Sequence, residues 1–360
     1  MASVDTPEPR AERVELGDRS TDVRIGAGLL AHLWAAVRSR FPAAERCGFA
    51  IDERVADAQP MPAAPADLDV VAVRLPEGEA AKTRDVLARL QDAWLDLRRD
   101  EPVVVVGGGA ALDVGGFAAA TVRRGLSWIG VPTSVVGMAD ASVGGKTAIN
   151  HERGKNLIGT FHPPSFVLAD VRTLETLDPR DRVAGLAELY KCGRIADAAL
   201  LARLRDGPPA DEAEWIDVVH RSIAVKARLV EADERDGGVR RMLNYGHTVG
   251  HALERVLGNE RMRHGEAVAI GMDGAARLAV ARGLMPEAER AQQREDLIAL
   301  GLPVDIPDDV DRTALHEALG LDKRRTAGST HVFALPVGGS GIRIVEDVSD
   351  EELLADVLGA

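Results

Sequence analysis

Apolar residues in the first half of the chain form short continuous runs that alternate with segments of helical spacing. The β-branched run at 102–106 is typical of a parallel strand buried on both faces, and residues 83–98 repeat apolar side chains at the helical period. Residues 13–25 are predicted to form a polar hairpin. Further strands are predicted at 48–52, 69–75, 128–131 and 166–170, and a further helix at 111–120. Strands that alternate with helices in this way indicate a parallel α/β sheet.

The pattern changes near residue 177, and long amphipathic helices predominate after it. Helices are predicted at 182–195, 214–231, 244–256, 266–282 and 287–300, and a hairpin at 330–345. Ser349 and Glu352 have the spacing of a capping box and predict a short last helix. We therefore predict an α/β domain over residues 1–175 and a mainly α-helical domain over residues 176–360.

Charge and cysteine content narrow the class of protein. The 360-residue chain has a net charge of −13 and an isoelectric point of about 5.2, which argues against binding of nucleic acid or an anionic membrane by the surface as a whole. The N-terminus lacks the apolar segment of a signal peptide, and no apolar run is long enough to span a bilayer. Cys47 and Cys192 provide no disulfide framework. We therefore expect a cytoplasmic protein.

Lysine is scarce among the 44 basic residues of the chain. The only lysines are Lys82, Lys146, Lys155, Lys191, Lys226 and Lys323. An ammonium is a compact point charge and a guanidinium is a wide planar fork, so a phosphate pocket or a proton relay can require lysine. Lys146 stands in Gly-Gly-Lys-Thr, Lys155 in Gly-Lys-Asn and Lys82 in Gly-Glu-Ala-Ala-Lys. These sequence neighbours favour a specific requirement for lysine at these positions over a chance distribution.

A glycine-rich turn, Gly107-Gly108-Gly109, joins a predicted strand to a predicted helix. Such a turn lets backbone amides and a helix N-terminus approach a pyrophosphate, although tight packing alone explains it about equally well. It is not the Gly-x-Gly-x-x-Gly fingerprint of dinucleotide-binding proteins. Asp52, at a predicted strand end, could hold a ribose diol and would then favour NAD over NADP. A turn residue that ends the strand is an equally good interpretation.

Histidines are concentrated in the second half of the chain. His247 and His251 have i, i+4 spacing, His264 follows in Arg-His-Gly-Glu, and the pattern lacks the glutamate of His-Glu-x-x-His metalloproteases. A metal or proton-transfer site is therefore predicted, with Glu188 as the further ligand. The alternative for Glu188 and Lys191 is a surface i, i+3 ion pair. The spacing also predicts that Arg240, Asn244, His247 and His251 share one helical stripe suited to an anionic, hydroxylated substrate.

Seven motifs together resemble the 3-dehydroquinate synthase family, a group of sugar phosphate cyclases. They occur in the family's order from about residue 13 onward: Gly107-Gly-Gly with Asp113, Val131-Pro-Thr, Asp140-Ala-Ser-Val-Gly-Gly-Lys-Thr-Ala-Ile-Asn, Gly154-Lys-Asn-Leu-Ile-Gly, Ala187-Glu, Leu243-Asn-Tyr-Gly-His-Thr-Val-Gly-His and His264-Gly-Glu-Ala-Val-Ala. The resemblance implies an α/β N-terminal Rossmann-like domain and a mainly α-helical C-terminal domain.

The resemblance also implies an activity. The family uses bound NAD and a divalent metal, zinc or cobalt, to convert 3-deoxy-D-arabino-heptulosonate 7-phosphate into 3-dehydroquinate and phosphate, in the shikimate pathway that leads to aromatic amino acids. The substrate is oxidised transiently, loses phosphate, is reduced again and closes by an intramolecular aldol reaction. A homodimer is expected, as is common in the family.

Roles in the family transfer to matching positions of this chain. Glu188, His247 and His264 would bind the metal, and His251 would take part in proton transfer. The substrate would be bound by Asp140, Lys146, Asn156, Lys191, Lys226, Arg240, Asn244 and Lys323, with Arg124 reaching its phosphate from the partner subunit. NAD would be bound by Asp52, Glu79, Lys82, Gly108, Gly109, Asp113, Thr133, Ser134, Lys155 and Thr176.

Several positions depart from the family pattern. Residues 53–78 form a short, proline-containing segment, Arg54 and Ser134 replace the usual asparagine and threonine, and Arg324 follows Lys323 where a second lysine is usual. These departures affect the NAD contacts and leave open which of Lys323 and Arg324 reaches the substrate.

Three alternative functions stay open. One is another sugar phosphate cyclase, which would make amino-dehydroquinate, 2-epi-5-epi-valiolone or 2-deoxy-scyllo-inosose. A second is a polyol dehydrogenase of similar architecture, which the cation cluster around Lys146 and Lys155 disfavours. The third is a non-catalytic relative, which the intact set of metal and proton-transfer residues disfavours.

Overall fold

The computed structural model describes residues 6–258, 260–320 and 330–358, so Lys323 and Arg324 lie outside the described residues. The chain divides into two compact units. The first runs to Asp178 and also takes in Ala210–Arg235, and the second takes in Pro179–Pro209 and the chain from Asp236 onward. The first change of unit lies close to the boundary predicted after residue 175. The return of residues 210–235 to the first unit was not predicted.

Eleven strands and twelve helices are described within these ranges. The strands are β1 (Arg10–Leu16), β2 (Arg19–Gly26), β3 (Arg46–Asp52), β4 (Asp69–Leu75), β5 (Val103–Gly107), β6 (Trp128–Pro132), β7 (Lys146–His151), β8 (Gly154–Phe161), β9 (Phe166–Asp170), β10 (His331–Pro336) and β11 (Ile342–Val348). The helices are α1 (Leu33–Arg40), α2 (Glu53–Ala58), α3 (Arg84–Trp94), α4 (Gly109–Thr121), α5 (Pro179–Ala196), α6 (Ala198–Arg205), α7 (Glu212–Ala232), α8 (His247–Leu257), α9 (His264–Ala281), α10 (Glu287–Ala299), α11 (Arg312–Gly320) and α12 (Asp350–Glu352).

A seven-stranded sheet forms the framework of the first unit. Its order is β1-β2-β9-β6-β5-β3-β4, with β1 and β2 antiparallel and every other neighbouring pair parallel. The predicted run at 102–106 becomes β5, whose Val103–Val106 are fully buried between β3 and β6. Helix α4 packs closely against this strand, because a Cβ atom on Gly115 would lie only 2.6 Å from Val105 Cγ2. The prediction of a parallel α/β sheet is confirmed.

A second, two-stranded sheet of the first unit was not predicted. Strands β7 and β8 form an antiparallel hairpin outside the main sheet. Most side chains of β8 are exposed, and the strand lacks the regular alternation of buried and exposed residues that would reveal it in a sequence. Helices α1 and α2 were also not predicted.

The second unit is mainly helical, as predicted. Helices α5, α8 and α9 follow the predicted segments within a few residues, and β10 and β11 form the predicted hairpin. Helices α6 and α11 were not predicted. The capping box that begins α12 is present, because Ser349 Oγ accepts a hydrogen bond from Glu352 N and Glu352 Oε2 accepts one from Ser349 N. None of the described helices combines the length and apolar character needed to cross a membrane.

Candidate functional site

The start of helix α8 corrects the predicted stripe of four polar residues. Arg240 and Asn244 lie on a separate 3₁₀ segment, Val239–Asn244, whereas His247 is the first residue of α8. The break falls at Gly246, which has φ of 80° and precedes the helix. Four residues at helical spacing therefore do not share one helix. His247 and His251 do belong to α8, with ring centroids 5.3 Å apart.

Three residues from three helices of the second unit meet in one cluster, in which Glu188 is buried and His264 is partly exposed. Glu188 lies on α5, His247 begins α8 and His264 begins α9. Glu188 Oε1 lies 3.5 Å from His247 Nε2 and 3.4 Å from His264 Nε2. These three could hold a metal ion, since one ligand atom of each lies within 4.8 Å of the others. Within the described residues, no other group of histidine, cysteine and acidic side chains has this geometry.

Two of the separations between ligand atoms in the cluster match those around a tetrahedral metal. Bonds of about 2.0–2.1 Å at tetrahedral angles place neighbouring ligand atoms about 3.3–3.4 Å apart, close to the separations found here. Glu188 is 0% exposed, and among the described residues its Oε1 accepts no hydrogen bond of regular geometry. A buried carboxylate oxygen without such a partner is costly, so a cation beside Oε1 would compensate it. One carboxylate and two imidazoles are a ligand set that suits zinc.

Lys191 sets the charge balance of this cluster. Its Nζ lies 2.5 Å from Glu188 Oε2, and its side chain is only 1% exposed. The pair is therefore buried, and the alternative of a surface ion pair is wrong. Burial opposes ionisation of Glu188, but the Lys191 ammonium and the two nearby imidazoles hold its pKa well below the usual value. Glu188 is thus anionic, as a metal-binding carboxylate has to be.

The two imidazoles of the cluster differ in protonation. Burial and the Lys191 charge hold the pKa of His247 well below its usual value, so this ring is neutral and ready to bind a metal. Burial also disfavours the charged form of His264, but the carboxylates of Glu188 and Glu254 outweigh it and raise its pKa to about 10. A metal at this cluster would therefore displace a proton from His264.

Predicted residues of the first unit form a second polar cluster. Lys82 is buried, and its Nζ contacts Asn156 Oδ1 and lies 2.5 Å from Asp113 Oδ2. Burial raises the pKa of Asp113 to about 6 against the opposing charge of Lys82. Glu79 joins the cluster through Asn150, whose Nδ2 donates to Glu79 Oε2 over 2.5 Å. The structure thus brings together Glu79, Lys82, Asp113 and Asn156.

The glycine-rich turn has the expected strand-to-helix geometry. Gly107 ends β5 with φ of 153°, and α4 begins at Gly109. A Cβ atom on Gly108 would lie 3.3 Å from Ser134 Oγ, and one on Gly109 would lie 3.3 Å from Ala141 Cβ. Glycine therefore allows this turn to pack closely against Ser134 and Ala141, and the binding of a pyrophosphate at the N-terminus of α4 stays a prediction. Thr133 is buried beside this turn and donates its backbone N–H to Gly107 O over 3.0 Å.

The carboxylate of Asp52 accepts two hydrogen bonds from the backbone. Its Oδ1 accepts from Arg54 N at 2.9 Å, which caps helix α2, and its Oδ2 accepts from Gly78 N at 3.3 Å. Burial raises the pKa of Asp52, although these backbone donors oppose the shift. Each oxygen retains a second lone pair, so a ribose contact stays a prediction. Thr176 is exposed, and its Oγ1 accepts from Gln59 Nε2 over 2.5 Å.

The remaining predicted cations differ in burial. Lys226 is buried on α7, where its Nζ contacts the Asp140 carbonyl and lies 2.6 Å from Asp140 Oδ1, on the π-helical turn Gly137–Ala141. Lys146, at the start of β7, is exposed, and Lys155 on β8 is half-buried. Arg124 is exposed, with φ of 63° in a turn where Arg123 also has positive φ. Two consecutive non-glycine residues in this region store strain, which is often found at functional sites.

Two residues that contact the predicted groups were missed. Asn150 Oδ1 accepts from Asn156 N at 3.1 Å, and Glu254 lies against His264. Asn150 is the last residue of the motif that begins at Asp140, but an uncharged side chain gives no separate signal of a functional role. Glu254 follows His247 by seven residues, the spacing of one helical face, and this signal was available in the sequence.

Family models match most of the chain. The model described as 3-dehydroquinate synthase N-terminal matches residues 72–184, and the one described as 3-dehydroquinate synthase C-terminal matches residues 185–325. The chain belongs to the 3-dehydroquinate synthase family. Among relatives named 3-dehydroquinate synthase, one from Geobacter metallireducens is 41% identical over 96% of this chain and 98% of its own length. Another, from a Synechococcus species, is 45% identical over 78% of each chain.

Solved structures of related cyclases share the fold. A 2-deoxy-scyllo-inosose synthase with carbaglucose-6-phosphate, NAD⁺ and Co²⁺ has a TM-score of 0.83 and 25% identity, over 98% of this chain and 100% of that one. A 2-epi-5-epi-valiolone synthase from Streptomyces hygroscopicus subsp. jinggangensis, with NAD⁺ and Zn²⁺, has a TM-score of 0.81 and 28% identity, over 96% of this chain and 98% of that one. The family and fold predicted from the motifs are confirmed.

Proposed function

We propose that this member of the 3-dehydroquinate synthase family converts 3-deoxy-D-arabino-heptulosonate 7-phosphate into 3-dehydroquinate and phosphate. The observation that carries the proposal is the cluster of Glu188, His247 and His264, with His251 on the same helix as His247. It occurs in a chain 41% identical over nearly its whole length to a 3-dehydroquinate synthase. The related cyclases of known structure have lower identities, of 25% and 28%.

The cofactors proposed are NAD and a divalent metal. When bound, the metal would polarise substrate oxygens and NAD would take up and return a hydride. Glu188, His247 and His264 would hold the metal. NAD would be held by Gly108, Gly109, Asp113, Glu79 and Lys82, whose geometry is described above, and by Asp52, Thr133, Ser134, Lys155 and Thr176.

The chain's own residues have separate tasks in this proposal. Lys191 keeps Glu188 ionised and, as a buried ammonium with three donors, can also bind a substrate oxygen. His251 is exposed, with its ring centroid 6.3 Å from that of His264, and it would accept or return a proton near the reacting carbons. Cations and amides bind the anionic groups of the substrate: Lys146, Lys226, Arg240, Asn244, Asn156 and, outside the described residues, Lys323.

The proposal also gives roles to Lys226, in orienting the substrate, and to Arg124, in a homodimer. The Lys226 ammonium fixes Asp140, so that this carboxylate presents a defined face to a hydroxylated substrate. Arg124, held in a strained turn and exposed, would bind the phosphate of the substrate in a partner subunit. The homodimer, like the cytoplasmic location, stays a prediction.

A substrate comparison tests the proposed activity. The purified protein is incubated with NAD and zinc and with one of three compounds: the heptulosonate 7-phosphate, sedoheptulose 7-phosphate or glucose 6-phosphate. We expect phosphate release and 3-dehydroquinate from the first compound alone. Turnover of either other sugar phosphate without turnover of the first would assign the protein to another cyclase activity. Stoichiometric accumulation of NADH would instead indicate a dehydrogenase.

A further inference from the structure

We propose that Glu254 is a positioning residue that orients His264 for metal binding, an inference that rests on the proposed metal site. Glu254 is 6% exposed, and its Oε2 lies 3.5 Å from His264 Nδ1. It lies on helix α8, two turns after His247, so one helix face supplies both a ligand of the cluster and a carboxylate behind another ligand. The roles that the family resemblance implies for this chain do not include Glu254.

The two ring nitrogens of His264 face two different carboxylates. Nδ1 faces Glu254, and Nε2 lies 3.4 Å from Glu188 Oε1, on the side of the cluster. A proton on Nδ1 directed to Glu254 leaves the Nε2 lone pair for a metal. Glu254 therefore selects one tautomer of His264 and fixes the plane of the ring.

His247 has a matching arrangement with a neutral partner. Its Nδ1 lies 3.1 Å from the backbone carbonyl of Tyr245, and its Nε2 lies 3.5 Å from Glu188 Oε1. Both histidines thus present Nε2 to the cluster and turn Nδ1 toward an acceptor. The difference is that a carbonyl is held by the backbone, whereas the acceptor of His264 is a side chain that mutation can change.

The negative charge of Glu254 adds to its geometric role. Among the charged side chains described at the cluster, Lys191 offsets the charge of Glu188. A second buried carboxylate directly behind His264 makes this ligand more electron-rich and favours a divalent cation nearby. Removal of such a partner in metal sites typically costs about 10–100-fold in metal affinity.

Zinc affinity of the enzyme without substrate or NAD tests the inference. The metal-free protein is titrated with Zn²⁺ in competition with a chromogenic chelator, for the wild type, Glu254→Gln and Glu254→Ala. Glutamine keeps the shape and one acceptor oxygen but not the charge, so we expect roughly tenfold weaker binding for E254Q and a larger loss, toward 100-fold, for E254A. Glu295→Gln, an exposed glutamate on α10, is the matched control and should bind zinc like the wild type.

Two further measurements separate positioning from folding. Melting of the metal-free variants reports stability, and the visible spectrum of the Co²⁺-loaded protein reports ligand geometry. We expect an altered Co²⁺ spectrum in both Glu254 variants, including E254Q, whose metal-free Tm should stay near that of the wild type. Zinc affinities within twofold of the wild type, with unchanged Co²⁺ spectra, would overturn the inference while leaving the proposed function intact. A wild-type protein that binds no zinc or cobalt would overturn both.

Discussion

Of the five lysines within the described residues, three are buried, and each of these lies against a carboxylate. Lys82 contacts Asp113, Lys191 contacts Glu188 and Lys226 contacts Asp140, over 2.5, 2.5 and 2.6 Å. A buried ammonium needs such a partner, since desolvation without one would force it to lose its proton. The longer, planar guanidinium would have to fit into the same closed space, so these positions select lysine for packing as well as for chemistry.

Lys146 provides the clearer test of lysine against arginine, because it is exposed at the start of β7. We expect Lys146→Arg to leave Tm within about 2 °C of the wild type, since surface substitutions rarely cost more than about 0.5 kcal/mol. Turnover of the heptulosonate phosphate should fall by roughly tenfold or more, because the guanidinium cannot present the same point charge. Arg153→Lys, in the turn of the same hairpin, is the control. Equal turnover of both variants and the wild type would indicate that the lysine is incidental.

Asp52 combines a structural contact with a predicted cofactor contact, and Asp52→Asn separates the two. Asparagine can keep the cap on Arg54 N, but its amide nitrogen cannot accept from Gly78 N, so we expect a loss of about 1–2 kcal/mol in the free energy of unfolding. Loss of the charge should weaken NAD binding by roughly tenfold, measured by fluorescence titration, if the carboxylate accepts from the ribose. Asp197→Asn, at the cap of α6, should alter neither NAD binding nor turnover. Unchanged NAD affinity in D52N would leave Asp52 with the capping role alone.

At the scale of elements, the start of helix α8 depends on one glycine. Gly246 has positive φ, and a Cβ atom there would lie 2.5 Å from Val268 O and 2.7 Å from Met272 Cγ. Gly258, just after the same helix, also has positive φ but has nothing within 4 Å. Both glycines therefore need a positive φ, although ψ is −19° at Gly246 and 159° at Gly258, and they differ in packing.

This difference predicts unequal costs for two alanine substitutions. Gly258→Ala should lose about 1–3 kcal/mol of unfolding free energy, the cost of a backbone conformation that residues other than glycine rarely adopt. Gly246→Ala adds overpacking of about 1–3 kcal/mol and should also weaken zinc binding, because it displaces His247. Denaturant unfolding and zinc titration measure the two effects. Similar losses in both variants would show that the close contact at Gly246 is relieved without cost.

The same element shows where sequence reasoning succeeds and fails. The motif around His247 correctly placed His247 and His251 on one helix, because spacing along a helix fixes which side chains share a face. It wrongly extended that face back to Arg240, since the sequence pattern does not reveal that Gly246 adopts positive φ. Strand β8 escaped prediction for a related reason, because its mostly exposed side chains show no periodic burial. Glu254 was missed although its spacing from His247 places both residues on one helical face, but only the fold shows that it lies against His264.

The capping box of helix α12 predicts a pH-dependent contribution to stability. The Arg282 guanidinium, aided by Ser349, lowers the pKa of Glu352 from 4.5 to about 2. A carboxyl whose pKa is lowered in the folded state stabilises the protein above its unfolded pKa and loses that contribution as pH falls toward 2. We expect Glu352→Gln to lower Tm at pH 7 and the difference from the wild type to shrink between about pH 4.5 and pH 2. Glu351→Gln, at the exposed neighbouring residue, is the control. A difference in Tm between Glu352→Gln and the wild type that does not change with pH would contradict the assignment.

At the scale of the whole molecule, each unit contains one group of predicted ligands. The residues predicted to bind NAD, from Asp52 to Thr176, all belong to the first unit, and the proposed metal ligands all belong to the second. The sequence predicted a division near residue 175 because the periodicity changes there. It could not predict that α7 returns to the first unit, since α7 has the same amphipathic pattern as the helices of the second.

This division predicts that the two cofactors protect different parts of the chain from hydrogen exchange. A ligand that binds only the native state suppresses local opening around its own contacts, by about 2.7 kcal/mol at 100 times its Kd if opening abolishes binding. NAD alone should slow exchange at the glycine-rich turn and the start of α4, and zinc alone should slow it at α5 and at the starts of α8 and α9. Mass spectrometry of peptides from the metal-free protein, with each ligand added separately, gives the comparison. His247→Ala is the control, because it should lose the protection by zinc and keep the protection by NAD. Zinc protection centred on Gly107–Asp113, or retained in the variant, would contradict the assignment of the metal to the helical unit.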